Sequence, residues 1–179
     1  MIVTERLELV PATADLTRAA LERHSALGVA LGVAVPPTWP PEYLDEGSLK
    51  YTLERLAEGP GNAGWWLHFI VLTAGGQGRT LIGSGGYKGP PSTDGTVEVG
   101  YGIVSDHRRR GYAVEATRGL LARAFAVPGV RRAIAETLPE LLPSIGVLTK
   151  CGFRRIGEGS EPGVIRFELT RAEFEQRRP

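Results

Sequence analysis

A chain of 179 residues that is 42% hydrophobic and 23% charged can bury one core, and its composition excludes a disordered polymer. The formal net charge of +1 argues against a nucleic-acid binder, which usually carries a strongly basic balance. The single cysteine, Cys151, excludes an intrachain disulfide and fits a reducing compartment.

The opening "MIVTERLELVP" is interrupted by Glu5, Arg6 and Glu8, so it does not read as a signal peptide. "VTERLELVPA" alternates and predicts a strand, and Thr13 then caps a helix in "TADLTRAALERH". The longest apolar run, residues 26–35, is too short for a bilayer and ends in two prolines. Its start continues a short helix into the proline-rich connection "GVAVPPTWPPEYLDEG". Ser48 caps "LKYTLERLAEG", where Leu49, Leu53 and Leu56 share a helical face.

"WWLHFIVL", "TLIGSGGYKG" and "TVEVGYGIV" are strand-like runs joined by "TAGGQGR" and "PPSTDG", which predicts an antiparallel meander. A helix follows in "RGYAVEATRGLLARAFA", with Ala113, Ala116, Leu120 and Ala124 on one stripe. Next come a strand "VRRAIAET", a short helix "PSIGVLTKCG" closed by Gly152, and strands "FRRIGEG" and "VIRFEL". "TRAEFEQRR" carries a capping-box pattern, Thr170 with Glu173. The expectation is one α+β domain over residues 1–179, cytoplasmic, without membrane contact. His24, His68 and His107 lie far apart and no Cys/His cluster has zinc spacing, so no metal is expected.

The sharpest feature is "SDHRRRGYAVEAT", where a strand ends in a turn that opens directly into a helix. A helix N-terminus leaves backbone N–H groups unpaired and partly positive, which makes it an anion site. Gly111 lets a ligand approach the backbone and Ala113 keeps the next position small. "RRRGYA" can therefore cradle a diphosphate with Arg108, Arg109 and Arg110 at its edge. The alternative is a solvated loop with a helix-entry glycine. "GRTLIGSG" and "GSGGYKG" complete no phosphate-binding motif, and no G-x-S-x-G elbow is present.

"RRRGYA" fits the R/Q-x-x-G-x-G/A motif of the GNAT acetyltransferase superfamily. "VEVGYGIVSDHRRRGYAVEA", "AETLPELLPSIGVLTKCGFRRIGEG" and "TERLELVPAT" resemble its ribosomal-protein-alanine N-acetyltransferase-like branch, in order and over nearly the whole chain. The resemblance implies the GNAT fold, a mixed, mostly antiparallel sheet splayed in the middle and flanked by helices. It implies acetyl-CoA as co-substrate, with Arg109, Arg110, Gly111, Tyr112 and Ala113 offering amides to the pyrophosphate and Arg108 beside them. Ile103 and Val104 would pair with the pantetheine arm like an added strand, in a gap before "VRRAIAET". Where the family often has Asn against the pantetheine, this chain has Leu141; Ser144 is retained near the CoA sulfur. The acceptor pocket would be walled by Trp39, Tyr43, Asp45, Trp65, Trp66 and His68, with core packing the alternative for Trp65 and Trp66. Members often form a homodimer.

Acetyl transfer needs a neutral amine, an oxyanion donor and a proton for the thiolate. A lysine-like amine near pKa 10.4 costs roughly 4–5 kcal/mol to deprotonate at pH 7, a chain-terminal amine near 8 far less. Glu98 alternates away from Val97 and Val99 and is the leading base, with a structural carboxylate as the alternative. Glu136 is second. Ser144 is the candidate acid, or simply a helix cap, and the Val104 N–H is the candidate oxyanion donor. His107 titrates in the right range but is expected to be exposed outside the cleft; Cys151 reads as a buried structural thiol. The expected activity is acetylation of a small-molecule amine or protein N-terminus by direct attack in a ternary complex. The alternatives are a non-catalytic CoA-binding sensor and a nucleic-acid binder using Arg108–Arg110.

Overall fold

The computed structural model describes residues 1–74 and 78–177. The centre of the turn "TAGGQGR" and the end of "TRAEFEQRR" lie outside the described residues. The strands are β1 (Ile2–Val3), β2 (Leu7–Pro11), β3 (Leu67–Leu72), β4 (Thr80–Tyr87), β5 (Thr96–Ile103), β6 (Arg132–Thr137), β7 (Arg154–Glu158) and β8 (Ile165–Thr170). The helices are α1 (Ala14–Glu22), α2 (His24–Leu31), α3 (Glu46–Ala57), α4 (Tyr112–Phe125), α5 (Leu142–Cys151) and α6 (Arg171–Gln176).

The strands form one sheet in the order β1-β2-β3-β4-β5-β6-β8-β7. β5 and β6 pair in parallel, because α4 must cross the sheet between them; the other neighbours are antiparallel. Leu7, Leu9, Phe69, Ile70, Leu81 and Ile82 are fully buried in the left half of that order. Ala116, Leu120 and Ala124 give α4 a buried stripe, with Ala113 only half-buried at its first turn. Each fully buried leucine stabilises by about 1.5–3 kcal/mol before entropy is counted.

Several sequence expectations need correction. The first strand is a hairpin of two: Thr4 turns the chain through its amide bond to the Leu7 carbonyl (2.9 Å). Three helices, not two, precede β3. The apolar run ends α2 at Gly32, whose left-handed backbone (φ 64°) returns its amide to Gly28 and Val29 carbonyls. α3 is capped by Asp45, not Ser48: the Asp45 carboxylate accepts from the Ser48 amide and hydroxyl, both at 2.7 Å. The Thr170–Glu173 capping box is formed as read. No helix among the described residues is long and apolar enough to cross a membrane.

Candidate active site

The site begins at a fork in the sheet. β5 pairs with β6 over Thr96–Glu98 opposite Arg132–Ile134 and then leaves it. From Val99 to Ile103 β5 is held by β4 alone, while β6 continues against β8 as far as Thr137. The strands therefore part just beyond Glu98, and the gap widens toward α4. Lys88 donates its amide to the Glu98 carbonyl (3.0 Å), and Val104 donates its own to the Ile82 carbonyl (2.9 Å). Even-numbered residues of β5 thus spend their backbone groups on β4, and those of Val99, Tyr101 and Ile103 face the gap. This removes the Val104 N–H as an oxyanion donor. The Ile103 carbonyl is also taken, by Arg108 Nε at 2.9 Å. Such parity cannot be read from β5 alone, since it depends on which partner the strand keeps.

At the wide end lies the N-terminus of α4. Gly111 occupies the N-cap with φ 85°, and no side chain caps the helix, so the first-turn amides of Tyr112 and Ala113 point outward without an intrahelical partner. Arg109 is also left-handed (φ 60°), a strained setting for a non-glycine residue that recurs at functional sites. Of the three arginines, Arg108 is not a free cation: besides Ile103 it pairs with Glu42 at 2.8 Å. Arg109 and Arg110 are exposed and have no ion pair among the described residues.

Sequence reasoning missed Arg6. From the β1–β2 turn its guanidinium donates to Glu115 (2.7 Å) and to the Arg110 carbonyl (3.1 Å), and it lies 4.6 Å over the Tyr112 ring. Burial alone would raise the Glu115 carboxyl; hydrogen bonds from Thr4 and from the Arg6 amide and side chain outweigh it and hold the pKa below its ordinary value. In sequence Arg6 looks like one polar position of an alternating strand, which gives no signal of this role. A concavity of about 990 Å³ runs from Gly111 along α4, past Arg118 and Arg123.

Tyr87 of β4 and Tyr101 of β5 lie on one face of the sheet, which meets both α4 and α5. Tyr87 donates to the Leu120 carbonyl of α4 (2.6 Å), and Tyr101 donates to the Ser144 carbonyl of α5 (3.1 Å). The Tyr101 hydroxyl also lies 3.3 Å from Ser144 Oγ. Burial pushes the Tyr101 phenol up to about 12, although its bond with Ser144 opposes this, so it stays protonated at neutral pH. Leu141 is the N-cap of α5 and offers no side-chain hydrogen bond. Glu98, Gly100 and Gly102 lie on the opposite face. A Cβ on Gly100 would meet nothing within 4 Å, so the floor beside Glu98 is open. Glu98 is mostly buried and ion-paired to Lys88. Glu98 and Ser144 therefore flank the fork from opposite sides.

The α2–α3 connection closes the Glu98 side. A Cβ on Gly102 would lie 3.2 Å from Pro41, so glycine permits this close approach. Tyr43 is exposed there with φ 68°. Trp39 does not line the cleft: it is buried, with its ring 6.3 Å from Phe69. Trp65 is on the wrong face. It packs against Tyr87 (5.0 Å) and under the Arg123 guanidinium (4.4 Å), beneath α4. His68 shares that face and is buried; desolvation lowers its pKa to about 4, against a raising hydrogen bond to the Trp66 carbonyl. Trp66 is core, edge-on to Tyr51.

Glu136 is held in structural contacts. Burial would raise it, but Ser160 and Arg166 hold it below its usual value, with Arg166 Nη2 at 2.6 Å. His107 is half-buried, not exposed, and its Nδ1 is shielded without a hydrogen bond. Burial pushes the Cys151 thiol up to about 11, as befits a structural cysteine. No cluster of three or more His, Cys, Asp or Glu among the described residues could hold a metal ion.

A forked sheet with an amide-lined helix end at the fork's mouth defines an acyltransferase of the acyl-CoA-binding class. Residues 6–154 match the family described as "Acetyltransferase (GNAT) domain", and the chain belongs to it. It is 29% identical over 153 residues to the Bacillus subtilis protein named uncharacterized N-acetyltransferase YjdG, covering 86% of this chain and 89% of that one. The fold is shared with a GNAT-family acetyltransferase from Bacillus anthracis, at TM-score 0.64 and 22% identity over 96% of this chain and 98% of that one. It is shared too with the aminoglycoside acetyltransferase AAC(6')-Ib, solved in complex with coenzyme A, at TM-score 0.63 and 20% identity over 97% and 99%.

Proposed function

We propose that this enzyme transfers the acetyl group of acetyl-CoA to a primary amine, of a small molecule or a protein N-terminus, by direct attack in a ternary complex. The observation that carries the reading is the fork beyond Glu98, open on one side to Ser144 and on the other to the space above Gly100. Amides at 109–113 would hold the pyrophosphate, with Arg109 and Arg110 adding charge. The backbone of Val99 and Tyr101, with the Ile103 amide, would pair with the pantetheine amides.

The amine would approach across Gly100 and lose its proton to Glu98, directly or through water. Its nitrogen then attacks the thioester carbonyl carbon, and the C–S bond breaks. Ser144, oriented by Tyr101, would protonate the departing thiolate and regain its proton, through water, from the nitrogen that becomes the amide. Leu141 supplies no side-chain amide, so this chain would hold pantetheine with backbone groups in its place. Tyr43 is the aromatic left to contact the acceptor, and the nearby carboxylates suit a cationic amine.

The test is calorimetric titration of acetyl-CoA into the protein, followed by thiol release with a panel of amines. Gly111→Ala and Gly111→Asp share the strain of a side chain at positive φ; only Asp sets a carboxylate at the anion site. Micromolar binding retained better by Ala than by Asp, with amine-dependent thiol release, supports the reading. Binding without thiol release for any amine leaves a CoA-binding module instead.

A further inference from the structure

We propose that Lys88 is a self-acetylation site, an amine of this chain held at the acceptor position. The inference rests on the reading of the fork as an acetyl-transfer site. Lys88 follows β4 and stands directly opposite Glu98, to whose carbonyl it donates its amide. Its ammonium reaches across the strands and pairs with the Glu98 carboxylate. Glu98 is the last residue of β5 still paired with β6, so this ammonium sits at the apex of the fork. The Lys88 side chain is 63% exposed and is therefore free to swing, while Glu98 at 21% is fixed in the sheet. Among the described residues no other lysine is in this position. Lys50 pairs with Glu46 on α3, and Lys150 lies at the end of α5 on the opposite face of the sheet.

In the reaction the Lys88 ammonium gives one proton to Glu98, and Nζ attacks the thioester carbon of acetyl-CoA. The N–C bond forms and the C–S bond breaks. The second nitrogen proton ends on the thiolate, leaving CoA and N-acetyl-lysine. Glu98 returns its proton to water. No other reactant is needed.

The experiment incubates the full chain with acetyl-CoA and no acceptor, then maps acetylation by peptide mass spectrometry. Lys50 and Lys150 are the internal controls: solution acetylation labels them as readily as Lys88. The expected result is selective labelling of Lys88, at a rate unchanged by dilution of the protein, absent from Lys88→Arg and lost in Glu98→Gln. Equal labelling of the three lysines, or a rate that falls with dilution, overturns the proposal. If acetyl-CoA binds and amines are turned over while Lys88 stays unmodified, this inference fails and the transferase reading stands. If calorimetry shows no acetyl-CoA binding, both fail.

Discussion

The Arg108 guanidinium joins Glu42 at 2.8 Å while its Nε holds the Ile103 carbonyl at 2.9 Å. One side chain thus ties the α2–α3 connection to the end of β5, and Thr38 adds a bond to Asp106 (3.2 Å). The ion pair is largely exposed, so its own contribution is about 0.2–1 kcal/mol. Glu42→Ala should hardly change the denaturation midpoint yet raise KM for the amine. Arg108→Ala should raise both KM values, since it also frees the Ile103 carbonyl. Equal KM values for wild type and both variants would dissociate the two loops.

Replacing Glu98 by Gln should lower kcat by about 10²–10⁴-fold, the range of a positioned base. Acetyl-CoA affinity should stay within about threefold by calorimetry, because the substitution is isosteric and lies across the sheet from α4. An unchanged kcat would return Glu98 to a structural role.

Tyr101→Phe removes the hydroxyl that touches Ser144. A fall in kcat of roughly three- to tenfold is expected, one hydrogen bond's worth, with KM for acetyl-CoA little changed. Ser144→Ala should fall further, and the double variant should be no worse than Ser144→Ala. Additive losses would mean that the two residues act independently.

Arg6→Ala should cost about 1–2 kcal/mol in chemical denaturation, since Glu115 keeps its place but loses its cation. Calorimetry should show weaker acetyl-CoA binding, because the Arg110 carbonyl and the Tyr112 ring lose their support. Arg6→Lys should recover part of the stability and little of the binding geometry.

His68 sets a pH dependence of stability. Its folded pKa is depressed to about 4 by burial, while the unfolded histidine takes a proton near 6.5. Below pH 6.5 the unfolded chain therefore binds a proton that the native state refuses. Stability should be full above that pH and fall by roughly 3 kcal/mol as pH drops to 4. His68→Gln should flatten this limb in urea titrations across pH 4–7. An identical slope in the variant would assign the acid loss to the carboxylates alone.

Element types were legible because they rest on local chemistry: alternation in "TVEVGYGIV", a glycine at the entry to α4, the Thr170–Glu173 box. The helix opening proposed as a cradle was legible for the same reason, since a strand, a turn and a helix start are contiguous in the chain. What the sequence could not determine was pairing. Trp65 and Trp39 looked alike as aromatics near a cleft, yet Trp65, in the irregular segment just before β3, packs under α4, and Trp39 is buried in the core. Arg6 and Glu115 are 109 residues apart, and Glu42 and Arg108 are 66 apart, so no local pattern announces either pair. The chain by itself specified which groups carry charge and where helices open. Only the tertiary structure decided which face of β5 each group occupies, because a strand's side-chain faces acquire meaning from the layers packed against them.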